Sequence, residues 1–178
     1  GDERCVGPED DDSNYKMAMD YLLKNVDIPE ENIFRIIGEA DPEQEAIRYS
    51  HLATSKLPLK DGFPVFDLML LGLGEDGHTA SIFQNRFDLF ESKDLFDVGI
   101  HPVTNQKRIT ASGTLINFAR SIVFITTGNS KADVVSSIIS KKDEWEKYPA
   151  SYVEPIDGEL MWLLDKQAAS KYLEQKNN

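Results

Sequence analysis

The feature that most restricts the fold is an apolar run at residues 65–71 (Val-Phe-Asp-Leu-Met-Leu-Leu), which leads directly into a glycine-rich loop at residues 72–77. Pro64 precedes the run and Gly72 follows it, so the pattern predicts a central strand of a parallel sheet, covered on both faces. In such sheets ligands bind at the carboxyl ends of the strands. The loop therefore lies where a functional site is expected.

The rest of the chain alternates between predicted strands and predicted helices. Short strands are expected within residues 32–37, 108–110 and 121–127, and a last short segment spans 158–164. Helices are expected after Ser13, from Asp41 to about residue 55, at 114–119, from about 131 through 139 and at the C terminus, with a helical turn from Thr79. This order predicts an α/β fold with a mostly parallel sheet and helices on both faces, in a single domain over residues 1–178.

Capping residues locate two of these helix starts. The acidic stretch at residues 9–13 ends in Ser13, which suits an N-cap because apolar residues then recur at helical spacing. Asp41 suits the N-cap of the next helix and Pro42 suits its first turn. Glu45 is placed for reciprocal capping of the same helix.

Composition and charge exclude several classes of function. Of the 178 residues 40% are hydrophobic, but no run approaches the roughly 20 apolar residues that a membrane helix needs. The net charge of −12 argues against nucleic acid as a partner, and a solvated surface is the simplest reading of the excess acid. Cys5 is the only cysteine, which excludes an internal disulfide or a cysteine-based metal cluster and agrees with a cytoplasmic setting.

His78 is the candidate catalytic residue of the glycine loop. A neutral imidazole can accept a proton from water near pH 7, and the carboxylate of Asp76, two residues earlier, can fix its tautomer. The same pattern fits a histidine that caps the next helix or hydrogen-bonds within the loop, and the residues alone leave both readings open. A metal site is not favoured, because His51 and His101 are isolated and no helical ligand spacing occurs.

Gly72, Gly74 and Gly77 also satisfy the G-x-G-x-x-G pattern of dinucleotide-binding loops. That reading requires a second strand ending in an acidic residue about 20 residues further on. Asp94 and Asp97 lie near that distance, but residues 91–99 have the composition of a polar loop. A dinucleotide cofactor is therefore not favoured.

Several motifs match the signatures of one enzyme family, in the order in which that family has them. One of these motifs is the loop at residues 72–83, Gly-Leu-Gly-Glu-Asp-Gly-His-Thr-Ala-Ser-Ile-Phe. The others are Gly-Asp-Glu-Arg-Cys-Val at 1–6 with Asp-Ser-Asn-Tyr at 12–15, then residues 101–110, 127–132 and 157–160. On these motifs, almost the whole chain resembles the 6-phosphogluconolactonase family.

The resemblance implies a Rossmann-like α/β domain and a hydrolase of the oxidative pentose phosphate pathway. The substrate would be a small phosphorylated sugar lactone, 6-phospho-D-glucono-1,5-lactone, and no cofactor or metal would be needed because a lactone is already activated. His78 would take a proton from the attacking water while Asp76 orients it. Backbone N–H groups of the loop at residues 72–77 would stabilise the oxyanion.

The resemblance also associates three cations, Arg4, Arg108 and Lys131, with the substrate phosphate. Arginine offers a planar fork to phosphate oxygens, and Lys131 lies near a predicted helix start, where backbone N–H groups also favour an anion. Without the resemblance, a solvated surface cation is the simpler reading of each. The full set of predicted substrate-binding residues is Arg4, Arg108, Lys131, Gly72, Gly74, Gly77 and Asp2.

Two features depart from the family pattern. Family members carry an N-terminal strand–helix portion with a Gly-Gly-Ser-Thr loop, whereas this sequence opens on what reads as the end of a strand. We therefore expect the natural protein to carry about 50 to 80 residues before Gly1, enough for a further β–α–β portion. Gln84 stands where the family usually has proline, and we expect it to alter the exit of the loop more than the chemistry.

Two other functions stay open. Deaminases and isomerases of the same fold also carry a G-x-G-x-D-G-H loop, but they continue Ile-Ala-Phe-Asn-Glu, whereas residues 79–83 here are Thr-Ala-Ser-Ile-Phe. They also usually have tyrosine where Arg4 stands. The second is a non-catalytic protein that keeps the loop for binding a sugar phosphate. An assay of lactone hydrolysis separates a lactonase from both alternatives.

Overall fold

The computed structural model describes residues 1–176. Its strands are β1 (Asp2–Arg4), β2 (Leu59–Lys60), β3 (Phe63–Pro64), β4 (Met69–Leu71), β5 (Phe96–Ile100), β6 (Lys107–Ala111), β7 (Ser121–Thr126) and β8 (Glu159–Leu164). Its α-helices are α1 (Asn14–Tyr21), α2 (Pro42–Lys56), α3 (Gly113–Asn117), α4 (Ala132–Ser140) and α5 (Ser170–Lys176). None of the helices in this range is long and apolar enough to cross a membrane.

The two helix starts predicted from capping residues are confirmed. The Ser13 hydroxyl accepts the N–H of Lys16 at the start of α1, and the Asp41 carboxylate accepts the N–H of Gln44 at the start of α2. Pro42 occupies the first turn of α2, where its missing N–H removes no intrahelical hydrogen bond. Local sequence therefore suffices to begin both helices.

The reciprocal cap predicted for Glu45 is wrong. Glu45 lies one residue beyond the third helical position, from which a side chain can reach back to the N-cap. Its buried carboxylate instead accepts the N–H of Ile37 at 2.7 Å and pairs with the Arg48 guanidinium, whose Nε lies 2.6 Å from Oε2. Glu45 thus ties the segment before α2 to the helix.

Two three-stranded sheets confirm the α/β class. In the first sheet, β7 lies between β4 and β8 and runs parallel to both. In the second, β6 lies between β1 and β5 and is antiparallel to both. Strands β2 and β3 form a separate antiparallel pair. The carboxyl ends of the three parallel strands meet at one edge of the first sheet, where the glycine loop begins.

The two faces of the parallel sheet differ in burial. Met69, Leu71, Ile122 and Phe124 are buried on one face, and the Phe124 ring stacks on Trp162 with a centroid separation of 4.2 Å. The alternate positions of the same strands project from the other face. The residues there that are about half exposed are Leu70, Ile125, Met161 and Leu163.

Two strand predictions need correction. The central strand predicted at residues 65–71 is shorter, because only Met69–Leu71 pair, and β4 has β7 as its one neighbour among the described residues. The strand predicted within residues 32–37 does not form. Its backbone bonds to side chains instead, with the Tyr49 hydroxyl donating to the Phe34 carbonyl at 2.8 Å. An apolar run without a neighbouring strand cannot complete a ladder.

The interpretation of residues 91–99 as a polar loop is wrong for its second half: residues 91–95 are irregular, whereas Phe96–Ile100 form β5. Pairing with β6 stabilises this strand, and local composition does not reveal a partner distant in sequence. Asp97 accepts the N–H of Val98 at 2.6 Å. Because β5 is antiparallel and belongs to a different sheet from β4, it is not the next parallel strand that a dinucleotide-binding unit requires.

The helical turn predicted from Thr79 is replaced by a tight non-helical turn. The N–H of Ile82 donates to the Thr79 carbonyl at 2.9 Å, and Ala80 has a φ angle of 47°. The Thr79 hydroxyl donates to the Gly72 carbonyl at 3.0 Å. The turn therefore packs back onto the glycine loop and fixes the position of the residues that follow His78.

Candidate active site

A cleft of about 800 Å³ opens at the carboxyl end of β4. The predicted site residues that line it are Asp2, Arg4, Gly72, Gly74, His78, Arg108 and Lys131. Asp76 and Gly77 belong to the same loop but are not among the lining residues. Residues from β1, β6, α1 and the turns after β4 and β7 therefore meet at one place, although they are far apart in sequence.

His78 and Asp76 form a hydrogen-bonded pair within the loop. The Nδ1 atom of His78 lies 2.6 Å from Oδ1 of Asp76, which also accepts the backbone N–H of His78 at 3.2 Å. The hydrogen bond from His78 lowers the pKa of Asp76 to about 2, so the carboxylate is ionised at neutral pH. An ionised carboxylate only accepts hydrogen bonds, so Nδ1 carries the proton and Nε2 can accept one.

Gly74 provides the space that this pair occupies. A Cβ atom added at Gly74 would lie 2.1 Å from Nδ1 of His78 and 2.5 Å from Oδ1 of Asp76. Real Cβ atoms essentially never approach other heavy atoms so closely, so any side chain here would displace the pair. This glycine is among the substrate-binding residues predicted from the sequence, and the close approach that the structure shows for it is to His78 and Asp76.

Internal hydrogen bonds hold the loop in shape. The N–H of Gly74 donates to the His78 carbonyl at 2.8 Å, and the N–H of Gly77 donates to the Gly74 carbonyl at 3.1 Å. Gly77 has a φ angle of 77°, and a Cβ atom on it would lie 2.4 Å from the Tyr148 ring. The expectation that loop N–H groups stabilise an oxyanion thus fails for Gly74 and Gly77, whose N–H groups are already engaged.

Phe83 and Gln84, which follow the loop, contact His78 and Asp76 respectively. The His78 ring packs against the Phe83 ring with a centroid separation of 4.7 Å. The Arg108 guanidinium also lies over the Phe83 ring, 5.8 Å from its centroid. Gln84 donates from Nε2 to the Asp76 carbonyl at 3.0 Å. The residue at the usual proline position therefore contacts the loop itself, while its effect on chemistry stays a prediction.

The other histidines have different surroundings. Nδ1 of His101 accepts the N–H groups of Val103 and Thr104, each at 3.2 Å. His51 is exposed on α2. Among the residues that the structure describes, no three His, Cys, Asp or Glu side chains form a group that could hold a metal ion.

Arg4 is positioned by the start of α1. Its Nη1 donates to Oδ1 of Asn14, whose Nδ2 donates to the Asp2 carbonyl at 2.8 Å. The buried carboxylate of Glu3 accepts the N–H groups of Asn14 and Tyr15 at 2.8 and 2.7 Å, where the positive end of the helix favours a negative charge. β1 and α1 are thereby joined in a fixed orientation.

Asp2 and Arg108 form the second charged pair of the cleft. Oδ2 of Asp2 accepts the Ser81 hydroxyl at 2.6 Å and lies 3.8 Å from Nη1 of Arg108. Arg108 also donates from Nε to Gln106 at 3.2 Å. Burial lowers the pKa of Arg108 and the nearby Asp2 opposes that effect, so the guanidinium stays charged. Asp2 thus holds Arg108 in place.

Lys131 reaches the cleft from the turn between β7 and α4. The residues Asn129–Lys131 form a 3₁₀ turn that starts at Gly128, whose carbonyl accepts the N–H of Lys131 at 3.2 Å. Gly128 has a φ angle of 93°, which residues with a side chain rarely adopt. The turn places Lys131 on the cleft wall with Arg4 and Arg108.

Sequence reasoning missed two polar residues beside these charges, Asn14 and Ser81. Both lie inside the motifs that carry the family resemblance, so those motifs were the available signal. Their partners, Arg4 and Asp2, are distant in sequence, and only the meeting of β1, α1 and the turn after His78 brings them together.

The protein-family model described as glucosamine-6-phosphate isomerases/6-phosphogluconolactonase matches residues 1–162. The chain belongs to this family. It is 44% identical over 170 residues to the 6-phosphogluconolactonase of Synechocystis, a match that covers 94% of this chain and 70% of that relative. The resemblance drawn from the sequence motifs is therefore confirmed.

Solved structures show the same relationship. The crystal structure of the devB protein has a TM-score of 0.90 and 38% identity, covering 96% of this chain and 71% of its own. The 6-phosphogluconolactonase from Trypanosoma brucei has a TM-score of 0.81 and 34% identity, with coverages of 96% and 72%. These likenesses confirm the family fold.

Proposed function

We propose that the chain hydrolyses 6-phospho-D-glucono-1,5-lactone to 6-phosphogluconate, as a 6-phosphogluconolactonase of the oxidative pentose phosphate pathway in the cytoplasm. The observation that carries the proposal is the juxtaposition of an Asp76–His78 pair with the cations Arg4, Arg108 and Lys131 around one cleft. A phosphorylated lactone offers a neutral ester for the histidine and an anion for the cations. Relatives named for this activity support the same substrate.

His78 and Asp76 would drive the proton transfers. Nε2 of His78 takes a proton from water as the water oxygen attacks the lactone carbonyl carbon. The tetrahedral intermediate then breaks the bond between the carbonyl carbon and the ring oxygen, and the imidazolium returns its proton to that oxygen. Asp76 stays ionised throughout, since its pKa is about 2, and stabilises the transient imidazolium. The scheme uses no cofactor.

The three cations would hold the phosphate, a group of the substrate that is remote from the carbonyl carbon that water attacks. Arg108 is already oriented by Asp2 and Gln106, and Arg4 by Asn14, so little side-chain freedom is lost when an anion binds. Phosphate binding then fixes the lactone carbonyl relative to His78, which converts affinity for a remote group into orientation at the reacting carbon.

Lactone hydrolysis tests the proposal when it is measured against the spontaneous opening of the lactone under the same conditions. We expect the chain to accelerate the opening of 6-phosphogluconolactone and to release no ammonia from glucosamine 6-phosphate, the substrate of the related deaminases. A rate equal to spontaneous opening would refute the lactonase. Ammonia release without lactone hydrolysis would favour the deaminase instead.

Lys131→Ala is expected to raise the KM for the phosphorylated lactone about tenfold or more, because charge-assisted hydrogen bonds contribute about 1.5–3 kcal/mol. Unphosphorylated gluconolactone should be hydrolysed by the variant and the wild type with similar efficiency. Lys107→Ala is the matched control, since Lys107 pairs with Glu43 on the exposed side of β6. If the wild type uses both lactones equally well, the cations do not form a phosphate site.

A further inference from the structure

The turn that carries Lys131 has no capping side chain of its own. Gly128 precedes the 3₁₀ turn Asn129–Lys131 without a side chain, and the first turn of α4 likewise shows no side-chain cap. A helix start normally depends on a side-chain acceptor for its free N–H groups. The N–H of Gly128, the residue before the turn, is instead bound by a side chain that follows another strand.

Asp165 provides that side chain. It follows β8 directly, and its carboxylate oxygens lie 3.2 and 3.1 Å from the Gly128 nitrogen. Oδ1 also accepts the N–H of Ala168 at 2.7 Å, and the Asp165 N–H donates to the Thr126 carbonyl at 3.3 Å. One partly buried carboxylate thus joins the end of β7 to the end of β8.

The parallel register explains why Asp165 and Gly128 meet. Thr126 is paired with Leu164, so the residues that follow each strand leave the sheet side by side. Gly128 then adopts a φ angle of 93° and turns the chain toward the cleft, where Lys131 lines the wall. Asp165 therefore binds the N–H of the residue at which this turn begins.

We propose that Asp165 is a positioning residue for the substrate phosphate: by holding the Gly128 N–H, it sets the turn that places Lys131 in the cleft. The inference rests on the proposed lactonase function. Asp165 itself would not touch the substrate, because its carboxylate is turned onto backbone N–H groups. Its influence would therefore reach the substrate through Lys131, and none of its hydrogen bonds involves Asp76 or His78.

Steady-state kinetics of Asp165→Ala on two lactones tests this role. We expect the KM for 6-phosphogluconolactone to rise about five- to tenfold, no more than in Lys131→Ala, because the change displaces Lys131 and does not remove it, while efficiency on unphosphorylated gluconolactone is unchanged. Asp165→Asn keeps one carbonyl acceptor and should recover most of the loss. In a Lys131→Ala background, Asp165→Ala should add little, because both changes remove the same interaction.

Asp41→Ala is the matched control, because it also removes a carboxylate that accepts a backbone N–H near a helix start, here that of α2. The unfolding temperature of Asp41→Ala should fall as that of Asp165→Ala does. Its catalytic efficiency on the phosphorylated lactone should not fall selectively. Equal losses on both lactones, or full additivity with Lys131→Ala, would overturn the positioning role. Calorimetric titration with inorganic phosphate measures binding independently of turnover. Unchanged phosphate affinity in Asp165→Ala would overturn the positioning role. A wild type that is inactive on both lactones would refute only the proposed lactonase activity.

Discussion

His78→Ala is expected to lower kcat for the phosphorylated lactone by about 10² or more, the usual loss when a general base is removed. Nε2 of His78 is the ring nitrogen left to accept a proton, because Nδ1 donates to an Asp76 carboxylate that stays ionised. Rates should be corrected for spontaneous opening of the lactone. KM should change little, because the residues proposed to bind the phosphate are Arg4, Arg108 and Lys131 and the variant keeps them.

Stability measurements separate loss of chemistry from loss of fold in this variant. The His78 ring packs against Phe83, so His78→Ala should lower the unfolding temperature only modestly. His51→Ala is the control, because His51 is exposed on α2 and should leave both kcat and stability near the wild-type values. Near-wild-type turnover in His78→Ala would show that another group accepts the proton.

Elements whose signals are local could be predicted from the sequence. Helix α2 begins where Asp41 and Pro42 place it, and β7 forms from residues that are apolar on both faces. Elements that depend on a distant partner could not be predicted. β5 exists because β6 pairs with it, whereas the apolar segment at residues 32–37 has no strand beside it and stays irregular.

The candidate site also has features that the sequence could predict and features that it could not. The motifs identified most of the charged residues that meet at the cleft, since four of the five contribute a charged or glycine residue to its lining, whereas the motif at residues 157–160 does not line it. The roles of the glycines could not be read from spacing alone: Gly77 is required by its positive φ angle and by Tyr148, whereas a Cβ on Gly72 would meet open space. Nor does any local pattern connect Asp165 to Gly128, because their contact follows from the register of β7 and β8.

Gly74→Ala is expected to lower kcat about 10²-fold or more, since a displacement of about 1 Å in a catalytic group can cost that much. The added methyl group would lie 2.1 Å from Nδ1 of His78 and 2.5 Å from Oδ1 of Asp76. The pair must therefore separate or the loop must shift, and either change disturbs the tautomer and the orientation of the His78 imidazole. Because Gly74 has no positive φ angle, backbone strain makes no contribution to this effect.

Gly72→Ala is the matched control within the same loop. Its Cβ would meet nothing within 4 Å, so the variant should keep most of its kcat at saturating substrate. Circular dichroism and thermal unfolding should show that both variants are folded. The contrast between two alanines in one loop then isolates the contact with His78 and Asp76. A folded Gly74→Ala protein with the kcat of Gly72→Ala would mean that the hydrogen bond between His78 and Asp76 is not needed for turnover, and Asp76 would lose its proposed part in the reaction.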